Sequence, residues 1–106
     1  MGLDIDIKYM DEVTHWQNIT HNLAEMADEA GIYNILWRPE ENDIKVAAQL
    51  IFPLNDAINA MKENPARFSA HNADNGWGTY KDFLPWLEEL LAVCIEHPDG
   101  KVSASR

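Results

Sequence analysis

The chain has a single cysteine, Cys94, so no disulfide can close within it, and its fold must rest on packing alone, as suits a reducing compartment. No apolar run reaches the ~20 residues that a membrane span requires. Residues Met1 to Asp6 lack the basic and apolar parts of a signal peptide, which makes the cytoplasm the expected location. Cations are scarce: 8 Lys and Arg stand against 18 Asp and Glu, for a net charge of −10. That balance repels phosphate backbones and argues against direct nucleic-acid binding. It fits either an ordinary solvated surface or a negative face that docks on a basic protein partner. His15, His21, His71 and His97 form no i,i+4 pair and no His-Glu-x-x-His pattern, and there is no cysteine cluster. Neither a metal nor a cofactor is expected on that basis.

What is present is core material. At 106 residues the chain forms one domain, 1–106, and four Trp, three Tyr and three Phe give it large side chains to bury. Leu3, Ile5 and Ile7 alternate with Asp4, Asp6 and Lys8, the period of a half-buried strand, and Met10-Asp11-Glu12 reads as a connection. Trp16, Ile19, Leu23, Met26 and Ala30 then step by three and four, the stripe of a helix. Asp11, Thr14, Asn18 and Thr20 are its candidate N-caps, and Gly31 is its stop, with Ile32 folding back on it. A short helical piece over Ile32–Trp37 ends where Arg38 meets Pro39.

Asp43 is placed to cap a second long stripe of Ile44, Ala47, Ile51, Leu54, Ile58 and Met61. Pro53 lies inside it and predicts a kink or two abutting helices. Phe68 follows as an inward anchor. Ser69–Gly78 is a loop by composition, and Thr79 reads as the N-cap of a third helix that is apolar over more than half its circumference, from Phe83 to Ile95. Lys101–Ser105 alternates weakly and predicts an edge strand pairing with the N-terminal one. The expected fold is α+β and predominantly helical: three main helices with a two-stranded antiparallel pair from the two termini.

Candidate chemistry is thin. His21 lies two residues from both Ile19 and Leu23, so on a continuous helix it points away from the buried stripe, to solvent or a neighbouring loop. Cys94 sits on the apolar face of its helix and reads as a small packed hydrophobe. Asp82, Glu88, Glu89 and Glu96 make a convex acidic face that reads as solvated rather than catalytic. The stretch Asn75-Gly76-Trp77-Gly78-Thr79-Tyr80 is the strongest candidate. Its glycines permit positive φ, and the N–H groups of the following helix could hold an anion, yet no P-loop Lys or preceding strand accompanies it. The plainer expectation is a capped helix start with Trp77 plugging the core.

Asn18-Ile19-Thr20-His21-Asn22-Leu23, Ala30-Gly31-Ile32-Tyr33, Leu36-Trp37-Arg38-Pro39 and Asn75-Gly76-Trp77-Gly78-Thr79-Tyr80 together resemble a family of small acidic proteins, functionally uncharacterised, encoded in bacteriophages and prophage-like regions. The resemblance runs from about Asn18 to the terminal Ser105-Arg106. It supplies no activity, cofactor or partner, but it directs attention to the polar residues inside the motifs: His21, Asn22, Arg38, Asn75, Trp77 and Tyr80. His21-Asn22 and Asn75–Tyr80 are expected to meet on one surface. Two functions follow as expectations. One is a non-enzymatic phage-type accessory protein that binds another protein with a basic surface, such as a host nucleic-acid-acting factor, with self-association also open. The other is a small-ligand site or enzyme built on the two motifs.

Overall fold

The computed structural model describes residues 2–9 and 12–106. Leu3, Ile5 and Ile7 form the buried side of strand β1 (Gly2–Tyr9), as their alternation predicts. β1 is the middle strand of a three-stranded antiparallel sheet. One neighbour is β3 (Lys101–Ser105), which places Ile5 opposite Ala104 and Ile7 opposite Val102, so the expected pairing of the two ends of the chain is present. The other is β2 (Glu12–Thr20), which places Leu3 opposite Ile19 and Ile5 opposite Gln17.

β2 overturns the expected first helix and makes the sheet three strands wide instead of two. Trp16, Ile19 and Leu23 fit a helical step, but His15, Gln17 and Ile19 fit a period of two, and pairing with β1 selects the strand. Trp16 consequently faces the side opposite Gln17 and is 58% exposed. Gln17 is buried at the cost of two contacts that satisfy it: Nε2 donates to the Trp86 carbonyl at 3.0 Å, and Oε1 meets His15 Nε2 at 2.6 Å. Of the expected connection Met10–Glu12, Met10 and Asp11 lie outside the described residues, which also removes Asp11 as a cap to compare, while Glu12 already belongs to β2.

Of the expected first helix, only α1 (Ala24–Glu29) is α-helical, entered through a 3-10 turn at His21–Leu23. Thr20 closes the strand and caps that turn, its Oγ1 accepting from the Asn22 N–H at 3.2 Å. The stop is as expected. Gly31 adopts φ 78°, its N–H donates to Asp28 O at 3.0 Å, and Ile32 N–H donates to Ala27 O at 2.9 Å as Ile32 folds into the core.

Helix α2 (Tyr33–Trp37) ends at Arg38, before Pro39, as the sequence predicts. Asp43 does not cap the next helix. It sits at φ 57°, and the chain after it runs beside β3, where Val102 N–H donates to Lys45 O at 2.9 Å. Helix α3 (Ala48–Glu63) therefore begins after the bridge, and Gln49 Oε1 accepts from the N–H groups of Lys45 and Val46 at 2.6 and 3.0 Å. Pro53 lies in its second turn, and α3 runs through it as one element, with no break into two helices. Helix α4 (Pro65–Ser69) buries Phe68, as expected.

Helix α5 (Tyr80–Glu96) buries Phe83, Trp86, Leu87, Leu90 and Cys94 in the core shared with β1 and α3. It is fastened to β2 by Trp86, whose indole Nε1–H donates to the Asn18 carbonyl at 3.0 Å. The architecture is α+β, with two long α-helices and three short ones among the described residues where three main helices were expected. Among the described residues no helix is long and apolar enough to cross a membrane.

Candidate functional site

Two short segments converge beside the start of α5. The turn at His21–Leu23 supplies Asn22, whose Nδ2 donates to the Trp77 carbonyl at 2.7 Å. The loop 70–79 supplies the strained backbone. Asn75 Oδ1 accepts from the Trp77 N–H at 2.9 Å, and Ala73 N–H donates to Gly78 O at 3.0 Å. Gly78, at φ 114°, packs so closely on the turn that an added Cβ would sit 3.0 Å from Asn22 Cβ and 3.1 Å from Thr20 Cγ2. The two motifs meet, as the sequence led us to expect.

Trp77 corrects the expectation of a core plug. It is 74% exposed: the backbone on both sides of it is held by Asn22, Asn75 and Gly78, while its side chain makes no hydrogen bond among the described residues. Thr79 occupies the N-cap position with extended backbone, but its hydroxyl donates to Asp82 Oδ2 at 3.1 Å. Asn72 does the capping instead, its Oδ1 accepting from Tyr80 N–H at 2.8 Å, and Thr79 O accepts from Asp82 and Phe83 N–H groups. These partners compete with any anion at the start of α5. Tyr80 is a structural clamp, its hydroxyl donating to Met61 O at 2.8 Å.

His21 does not point freely to solvent. Its Nδ1 accepts from the indole Nε1–H of the buried Trp37 at 2.9 Å. An indole N–H only donates, so in the neutral ring the His21 proton sits on Nε2. Arg38 makes its contacts elsewhere, pairing with Glu41 at 2.8 Å, and Glu41, then Tyr33, hold its guanidinium above its ordinary pKa.

His71, weighed in the sequence only as a metal ligand, and Asn72 complete the surface. An open groove of about 470 Å³ is lined by His21, Asn22, Glu25, His71, Asn72 and Asp74 among others. A second groove, of about 670 Å³, adjoins it through Ala24, Glu25 and His71 and extends past α1 to Tyr33 and Asn34. Their shared wall is anchored by Glu29, which meets Arg67 Nε at 3.0 Å and His71 Nε2 at 3.3 Å. Arg67, and after it His71, hold the Glu29 carboxyl below the usual carboxylate range. Only the two asparagines that precede the glycines, Asn72 and Asn75, could have signalled loop fastening in advance.

The histidines and carboxylates of this region are spread along groove walls, and among the described residues no group of three or more His, Cys, Asp or Glu is arranged to hold a metal ion. Cys94 is buried in the core, where desolvation pushes its thiol up to about 11, so it is a poor nucleophile. What the arrangement offers is an aromatic side chain presented on a fixed backbone beside a polar groove. Comparison with protein-family models, with curated proteins and with solved structures yields no match to this chain.

Proposed function

We propose that the chain is a small acidic accessory protein of phage type that acts by binding another protein, with the Trp77 loop as its docking anchor. The observation that carries this reading is Trp77, 74% exposed on a backbone held from both sides by Asn22 and Asn75. Tryptophan is among the residues that dominate binding energy at protein interfaces, and a loop already fixed loses little entropy on docking. The net charge of −10 favours a partner with a basic surface, and inhibition of a host nucleic-acid-acting factor is the form of the activity that such a surface suggests.

The test is affinity capture from host lysate with tagged protein, run with Trp77→Ala in parallel and at two ionic strengths. Loss of the captured protein in the variant, and weakening at high salt, are expected. Capture that is indifferent to both, or no capture at all, would remove the proposal.

A second reading rests on the groove of about 470 Å³ beside the loop, where His21, Asn22, His71 and Asn72 bring hydrogen-bonding groups together. It makes the protein a small-ligand binder. A thermal-shift screen of nucleotides and metabolites decides it, since a ligand at one hundred times its Kd stabilises by about 2.7 kcal/mol. A genuine hit is expected to vanish in Asn22→Ala.

A further inference from the structure

Four side chains that line the groove of about 470 Å³ have their hydrogen-bonding roles set by contacts made behind it. His21 Nδ1 accepts from the Trp37 indole at 2.9 Å, so the neutral ring offers a donor at Nε2. Asn72 Oδ1 accepts from the Tyr80 N–H at 2.8 Å, which leaves the amide N–H groups of Nδ2 to offer. Asn22 is the reverse case: its Nδ2 donates to the Trp77 carbonyl, and Oδ1 remains as an acceptor. His71 Nε2 faces Glu29 Oε1 at 3.3 Å, and a carboxylate only accepts, so the neutral His71 ring offers the lone pair of Nδ1. Among the described residues none of these remaining groups has a hydrogen-bond partner. Glu25 and Asp74 add negative charge to the same wall.

We infer, on the small-ligand reading of this groove, that it takes an uncharged compound presenting an amide edge: a carbonyl oxygen beside an N–H, as in a pyrimidine base or a primary carboxamide. The carbonyl oxygen answers the donors of His21 and Asn72, and the N–H answers Asn22 Oδ1 or His71 Nδ1. Ligands of either charge fit worse. A carboxylate or phosphate matches the two donors but brings its charge against Glu25, Asp74 and the lone pairs of Asn22 and His71. An ammonium matches the acceptors and leaves His21 and Asn72 without an acceptor once the ligand displaces water. A neutral edge with both donor and acceptor satisfies the two sets together, and a groove of this volume is the size of a small-molecule site.

The experiment titrates the nitrogen-15-labelled full chain at pH about 8, above the ordinary histidine range. The probes are uridine and nicotinamide, which carry the edge, N3-methyluridine, which lacks its N–H, and uridine monophosphate, which adds charge. Uridine or nicotinamide is expected to shift the Asn72 side-chain amide and the His21 ring signals saturably, and the tighter of the two tells a ring imide from a primary carboxamide. N3-methyluridine and the monophosphate are each expected to bind roughly tenfold more weakly than uridine. Glu25→Gln combined with Asp74→Asn should recover most of the loss for the monophosphate. Asn72→Asp keeps the oxygen that caps Tyr80 and removes the donor, so the His21 shift should vanish while the Tyr80 amide signal stays in place. Monophosphate or N3-methyluridine bound as tightly as uridine, or uridine bound by Asn72→Asp as by wild type, would each overturn the inference. So would silence of both signals with uridine and nicotinamide. The wider thermal-shift screen separates that silence from failure of the small-ligand reading, which falls only if no compound stabilises the chain.

Discussion

Asn22 and Trp77, 55 positions apart, are joined by a 2.7 Å hydrogen bond from the asparagine Nδ2 to the tryptophan carbonyl oxygen. The bond holds the backbone of the loop and leaves the indole free. Asn22→Ala removes it at an exposed site, so the stability cost is expected to stay within about 1 kcal/mol. The larger effect falls on local order. Amide exchange over Gly76–Thr79 should speed up relative to wild type, and partner capture should weaken without loss of fold. Unchanged exchange in that segment would mean that Asn75 and Gly78 hold the loop unaided.

Gly76 and Gly78 separate two roles of glycine. Both have positive φ, 77° and 114°, but a Cβ at Gly76 meets nothing within 4 Å, whereas at Gly78 it meets Asn22, Thr20 and Leu23. Gly76→Ala should cost the left-handed penalty alone, about 1–2 kcal/mol. Gly78→Ala adds a steric clash with the turn and should cost more, and should also disturb the Asn22–Trp77 bond. Urea unfolding of the two variants side by side checks the order. Equal costs would show that the turn yields to the new methyl group.

The features legible in the sequence were those fixed by local chemistry: the alternation of Leu3, Ile5 and Ile7, the stop at Gly31, the Arg38–Pro39 end of α2, and the apolar arc from Phe83 to Cys94. The strand at Glu12–Thr20 was hidden because Ile19 belongs both to the helical steps that run from Trp16 and to the alternation of His15, Gln17 and Ile19, and only the facing strand decides between them. The meeting of Asn22 with the Trp77 loop was expected through the shared motifs, not through any periodicity. The direction of Trp77 was missed for a physical reason: a residue between two glycines has no preferred side until the backbone around it is fastened, and Asn75 and Asn22 are the fasteners.

His21 ties the same turn to the core. Trp37 is 2% exposed and its indole N–H has His21 Nδ1 as its acceptor. His21→Ala leaves that donor without a partner, at an expected cost of about 1–3 kcal/mol. His21→Gln offers a carbonyl oxygen in place of the ring nitrogen and should restore part of the loss. Nitrogen-15 spectra of wild type should report the Nε2–H tautomer. An alanine variant as stable as wild type would show that water takes over the indole N–H.

Glu29 gives the acid limb of the stability profile a specific origin. Arg67 is the main cause of its lowered pKa and His71 the next, so the folded value lies below the ordinary 4.5. The sign follows from linkage: the unfolded chain binds the proton more readily, so the ionised pair adds stability above about 4.5, and that contribution disappears as pH falls through the folded value. Because the carboxylate is open to solvent, salt should shrink the effect. Arg67→Gln is expected to raise the Glu29 pKa toward its ordinary value, seen by carbon-13 titration of the carboxyl. It should also bring the variant and wild type closer in stability at acid pH than at neutral pH. A wild-type Glu29 that titrates at the ordinary value would show that the Arg67 contact does not persist in solution, and with it the fastening of α4 to α1 that holds His71 at the groove.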